Sequence, residues 1–180
     1  MIVKAIFSAL LLTFTACALA QTPEERLFEA IEAGKPLVAE GIVVRGKVDL
    51  NARDRERETP LHHAALHSDS WFVELLLAAK ADPKARNDDG ESVLQWAVMT
   101  GNARTARSLL LAGADAKLAD LKGNTLLHAV ADGGHDELVD VLLSLGVDPR
   151  QRNRAGKRPI DVARERGHAQ VVKLMEKFEK

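Results

Sequence analysis

The sequence predicts an all-α solenoid of stacked helix–turn–helix units, each closed by a β-hairpin finger. Three observations carry that expectation. A pattern recurs every 33 residues without slippage: Thr59-Pro60-Leu61-His62 aligns with Ser92-Val93-Leu94-Gln95, Thr125-Leu126-Leu127-His128 and Arg158-Pro159-Ile160-Asp161. Other positions keep the same register, among them Leu76, Leu109 and Leu142, the leucines that follow them, and Asp82, Asp115 and Asp148. Composition is the third: 2 Trp, 5 Phe and no Tyr leave an Ala- and Leu-rich core, which favours helices over a β-sandwich.

Residues 1–20 read as a secretory signal and stand outside the fold. Lys4 supplies the positive start, Ala5 to Phe14 the apolar run, and Ala18-Leu19-Ala20 the small-residue cleavage site before Gln21. That run is too short to span a bilayer permanently. A rival reading makes Thr15-Ala16-Cys17 a bacterial lipoprotein site with Cys17 acylated, although Phe14 stands where such sites usually carry Leu. Cys17 is the sole cysteine, so cleavage after Ala20 leaves no disulfide and no thiol nucleophile. An exported, cysteine-free chain of this kind points to the bacterial periplasm. Without Lys4 the charges are 24 basic against 26 acidic, which argues against a chain-wide polyanion binder.

Residues 21–180 form the domain. An N-terminal cap is expected over 22–52, its first helix in ERLFEAIEAGKP. Full repeats follow at 53–86, 87–119 and 120–152, and a C-terminal cap at 153–180. In the first unit Thr59-Pro60 opens a helix, as N-cap and first helical residue. The position held by Ser68, Gly101, Gly134 and Gly167 ends it, glycine tolerating a left-handed backbone. A second helix follows, for example 103–112 or 136–145. No unit can bury its apolar face alone, so neighbours must stack. Repeat one breaks the pattern, with Arg57, Ser68 and Lys80 where its neighbours have glycine. Each departure costs about 1 kcal/mol if the backbone stays left-handed there.

The stretches ETPLHHAAL, GNTLLHAVADGGHDELVDVLLSLGVDP and GKRPIDVARERGHAQVVKLM resemble the ankyrin repeat family over nearly all of residues 23–180. The resemblance implies that His62 and His128 are structural, bonding within and between repeats. It also implies a partner surface on the finger tips and the inner faces of the first helices. In repeat one that surface is Arg53, Arg55, Glu56, Glu58, Leu66 and His67; in repeat two it is Arg86, Asp88, Asp89, Glu91, Met99 and Thr100. Repeat three adds Leu121, Lys122, Asn124 and Asp132, and the cap adds Arg152, Arg154, Lys157, Arg158 and Arg166. Met99 and Leu121 are apolar at sites with no core to serve, which marks them as contact anchors.

Charge along the stack is sorted. Residues 150–180 hold ten Lys or Arg against four Asp or Glu, leaving the rest of the mature chain near −8. Such polarity steers a partner into register, or simply solubilises an end cap. No catalytic constellation stands out: the chain has no Gly-x-Ser-x-Gly elbow, phosphate-cradling loop or CxxC pair. His63 and His67 share a helix face at a spacing that suits a metal, without the HExxH glutamate. The leading expectation is a non-catalytic, cofactor-free, monomeric module that binds a protein partner and not nucleic acid. It would serve as helper to an exported enzyme, scaffold, or immunity protein against a toxic one. The alternative is a small metal-binding or redox-protective protein using His63 and His67.

Overall fold

Ten short α-helices and one 3₁₀ turn carry the described residues, 21–178, of this computed structural model. The expected signal sequence, with its expected cleavage site and Cys17, lies outside them. The chain divides into two compact units, one ending at Asp49 and one beginning at Leu50. Among the described residues, no helix is long and apolar enough to cross a membrane.

The first unit is a helix pair, α1 (Pro23–Glu32) packed on α2 (Pro36–Val44). Thr22 starts α1 with a reciprocal cap: its hydroxyl accepts the Glu25 N–H, and the Glu25 carboxylate accepts the Thr22 N–H at 2.9 Å. Pro23 sits at the first helical position, where its missing N–H costs nothing. Leu27, Ala30 and Ile31 of α1 and Ala39 and Ile42 of α2 are buried.

The second unit repeats one helix pair four times. The pairs are α3 (Pro60–Ala65) with α4 (Trp71–Ala78), and α5 (Val93–Met99) with α6 (Ala103–Leu111). Next come α7 (Leu126–Gly133) with α8 (Val139–Ser144), and α9 (Pro159–Arg166) with α10 (Ala169–Glu176). The first helices stack in chain order, α3 on α5 on α7 on α9. Leu61, Leu94, Leu127 and Ile160 form one buried row through that stack, and Leu76, Leu109 and Leu142 a second. The leucines next to that second row, Leu77, Leu110 and Leu143, are only half-buried. In repeat three the second helix opens as a 3₁₀ turn, Asp136–Leu138, before α8.

Helix ends follow the 33-residue register with one exception. Gly101, Gly134 and Gly167 are left-handed, but Ser68 is not, because α3 already stops at Ala65. At Gly101 a side chain is excluded twice over. Its φ is +71°, and a Cβ would lie 2.4 Å from His135 Nδ1 of the next repeat. That imidazole donates from Nε2 to the Met99 carbonyl at 2.8 Å, and His168 does the same to Asp132 O at 3.1 Å. Asn102 fills the equivalent place one repeat earlier, donating to the carbonyls of His67 and Ser68.

Arg57 and Lys80 do keep the left-handed backbone of their glycine counterparts, at φ 63° and 74°. We therefore expect Lys80→Gly to stabilise the fold by about 1 kcal/mol, relief of Cβ strain outweighing the added freedom of the unfolded chain. Urea unfolding checks this; an unchanged or lowered midpoint removes the strain account.

The fingers are not β-hairpins with paired strands. Among the described residues, the antiparallel pairing they show is the single bridge Arg86–Ser92. One main-chain bond closes each finger, from the N–H of Asp54, Asn87, Asp120 or Asn153 to the carbonyl four residues on. Side chains take the return N–H groups a ladder would use. Asp54 Oδ1 accepts from the N–H groups of Glu56 and Glu58, and Asp120 Oδ1 from those of Lys122 and Asn124. Asn153 accepts from Ala155 and Lys157 in the same way, and Asn87 from Glu91. These four residues are themselves 33 apart.

Candidate binding groove

Each first helix begins with a buried clasp. The Thr59 N–H donates to His62 Nδ1 at 3.1 Å, which places the imidazole proton on Nε2, facing the Glu91 carbonyl at 3.4 Å. His128 repeats the arrangement, with Thr125 on Nδ1 and the Lys157 carbonyl 2.9 Å from Nε2. Each histidine thus ties its own helix start to the finger of the following repeat. Burial lowers the pKa of His62 from an ordinary 6.5 to about 4, and lowers that of His128. In repeat two Gln95 takes this place and donates to Asp120 Oδ2. In the cap the pair becomes Arg158 and Asp161. Two guanidinium bonds, aided by the Arg158 N–H, hold the Asp161 carboxyl at a pKa of about 2.

Arginines pin the fingers. Arg53 donates to the carbonyl of Arg57 in its own finger and, at 2.6 Å, to that of Arg86 one repeat on. Arg86 likewise reaches the carbonyls of Gly90 and Ala119, and Arg152 that of Gly156. The guanidinium groups at these three expected contact positions are therefore already engaged with main chain. Backbone bonds link successive tips as well: the Leu121 N–H to Asp89 O at 2.9 Å, and the Arg154 N–H to Lys122 O at 2.8 Å.

Beside these fingers runs an open groove of about 520 Å³. Glu91 and Met99 of repeat two, Lys122, Asn124 and Asp132 of repeat three, and Lys157 and Arg166 of the cap line it. Seven of the residues expected on the partner surface thus share one concavity. Its inner wall includes residues not expected on the partner surface: Gln95, Asp120 and Asn153, with Ala129 and Val162 as apolar floor. Asn153 Nδ2 donates to Asn124 Oδ1 at 2.8 Å, and Asn124 Nδ2 to Asp120 Oδ2 at 2.9 Å. This polar chain keeps the wall rigid. Along the rim Arg166 pairs with Asp132 at 2.6 Å, and Lys157 pairs with Glu165. Glu91 accepts the Trp96 indole N–H at 2.9 Å. Met99 is 46 % exposed.

The remaining expected positions lie elsewhere. Arg55 and Glu56 are exposed on the first finger, Asp88 faces Arg57 at 3.8 Å, and Arg154 is exposed on the last. Leu66 and Leu121 are half-exposed; Leu121 packs over Gly90. Thr100 Oγ1 donates to the Ala97 carbonyl. His67 does not join His63. Its ring lies 4.9 Å from that of Phe72, whereas His63 faces Asp54 and Glu58. Asp69 Oδ1 accepts the Trp71 N–H at the start of α4. Trp71 itself is half-buried, edge-on to Phe72.

Stacked helix pairs, a 33-residue register and a groove flanked by turn-tipped fingers define a repeat-solenoid binding scaffold. The family model for ankyrin repeats (3 copies) matches residues 27–120 and again 94–179, and the chain belongs to that family. Ankyrin repeats are generic protein–protein interaction modules, typically without catalysis. No curated protein matches the chain in a sequence comparison.

Proposed function

We propose that residues 1–20 export this chain to the bacterial periplasm, where it holds a protein partner in the groove of repeats two, three and the cap without catalysing a reaction. One observation carries the reading: expected contact residues from three successive units converge on one open concavity with a rigid polar wall. The rim ions are largely paired with each other, so they set polarity rather than supply loose charge. Met99 and Lys122 are the exceptions, one exposed and apolar, the other exposed and in no ion pair among the described residues. A partner segment with an apolar side chain beside an acidic one fits them. Such a module acts as helper, scaffold or inhibitor according to which partner surface it covers.

A photo-crosslinking residue placed at Lys122, with a second chain carrying it at exposed Leu111 of α6, tests the reading in the periplasm. The expected result is one discrete adduct from position 122 and none from 111. An adduct from 111 alone moves the interface to the second-helix side, and retention of the chain in the cytoplasm overturns the export assignment.

A further inference from the structure

Outside the groove, the first finger and the start of α3 bring three ligand-type side chains together. His63 Nε2 lies 2.7 Å from Asp54 Oδ2 and 3.5 Å from Glu58 Oε2, and the three ligand atoms all fall within 4.8 Å of one another. We propose that Asp54, Glu58 and His63 bind a divalent transition-metal ion, zinc being the one that best suits an imidazole with two carboxylates.

Tetrahedral zinc with N and O ligands at about 2.0–2.1 Å needs ligand–ligand edges of about 3.4 Å. Small side-chain rotations bring the observed separations to that value. Asp54 is already oriented for the task. Its Oδ1 is held by two backbone N–H groups, which turns Oδ2 toward His63 and supplies the outer-shell support metal ligands usually have. The imidazole is part-buried on a helix, and the carboxylates sit on a turn whose backbone is pinned by Arg53. Three ligands in this arrangement leave a fourth position for water.

The fold itself does not require these donors. At the same register the next repeat has Asn87, Glu91 and Trp96, and the third has Asp120, Asn124 and Ala129. In repeat two an indole N–H to Glu91 does the fastening, and an indole has no lone pair to offer a metal. Repeat one alone among the four units combines two acids with an imidazole. The three ligand atoms fall within 4.8 Å of one another, so a dication placed among them offsets the repulsion of two neighbouring carboxylates.

Calorimetric titration of the chelator-treated mature chain with Zn²⁺, alongside Co²⁺ absorption, tests the site. A one-site isotherm is expected, together with a melting temperature that rises with zinc concentration. His63→Gln and Glu58→Gln should each weaken binding at least tenfold, and His67→Gln should leave it within about twofold. Circular dichroism of each variant without zinc separates loss of the site from loss of the fold, and Glu58→Gln, on the finger, leaves the helix stack untouched. No saturable binding, or binding indifferent to both His63→Gln and Glu58→Gln in folded protein, overturns the assignment and leaves the cluster a hydrogen-bonded clasp. Loss through His67→Gln does the same.

Discussion

Acidification from pH 6.5 to 4 is expected to remove about 3 kcal/mol of stability through His62 alone. The imidazole is fully buried, its Nδ1 accepts from Thr59, and its pKa falls to about 4 when the chain is folded. An unfolded histidine titrates near 6.5, so between these values the unfolded chain holds the extra proton. Stability is then complete above 6.5 and declines as pH drops toward 4. His128 is shifted in the same direction by the same cause and adds to the loss. Glu58 acts in the opposite sense: its raised pKa makes the folded chain the better proton acceptor as pH falls below neutrality. Asp161 enters later, losing its contribution only between about 3.8 and 2. Urea unfolding at a series of pH values checks the account. The wild-type slope should flatten in the double variant His62→Gln, His128→Gln; an equal slope in both proteins assigns the acid loss to other groups.

His128→Ala is expected to cost about 3 kcal/mol at neutral pH. The truncation opens a cavity in the buried face of α7 and strips partners from Thr125 and from the Lys157 carbonyl. Because that carbonyl belongs to the next finger, the damage crosses a repeat boundary. His128→Gln should cost about 1 kcal/mol, since repeat two already uses glutamine at this position and finds it a partner in Asp120. Equal losses for the two variants would show that shape, not hydrogen bonding, is what the position supplies.

What was legible in the sequence is what lies within one unit. Thr59, Ser92 and Thr125 announce helix starts, and the apolar register places Leu61, Leu94 and Leu127 in the core. The groove was half legible. Met99, Lys122 and Asp132 follow from the register, while the contacts Gln95 and Asn153 make in the wall do not, because their side chains act on partners 25 and 29 residues away. Arginine direction was illegible for the same reason. Arg53 and Arg86 read as finger charges, yet each turns back to a carbonyl one repeat on. Paired hairpin strands are expected from the repeat, yet each finger keeps one main-chain closing bond and asparagine and aspartate oxygens take the return N–H groups. His67 was paired with His63 by helical spacing, but the adjacent Phe72 ring claims it.

The groove is the central claim, and affinity for the protein that crosslinks at position 122 tests it most directly. That partner should be titrated with wild type, with Met99→Asp plus Lys122→Glu, and with Arg55→Ala plus Glu56→Ala on the first finger. Loss of at least about 30-fold in the groove variant, with the finger variant unchanged and all three melting alike, is the result predicted. Undiminished affinity in the groove variant contradicts the account and places the partner on another face.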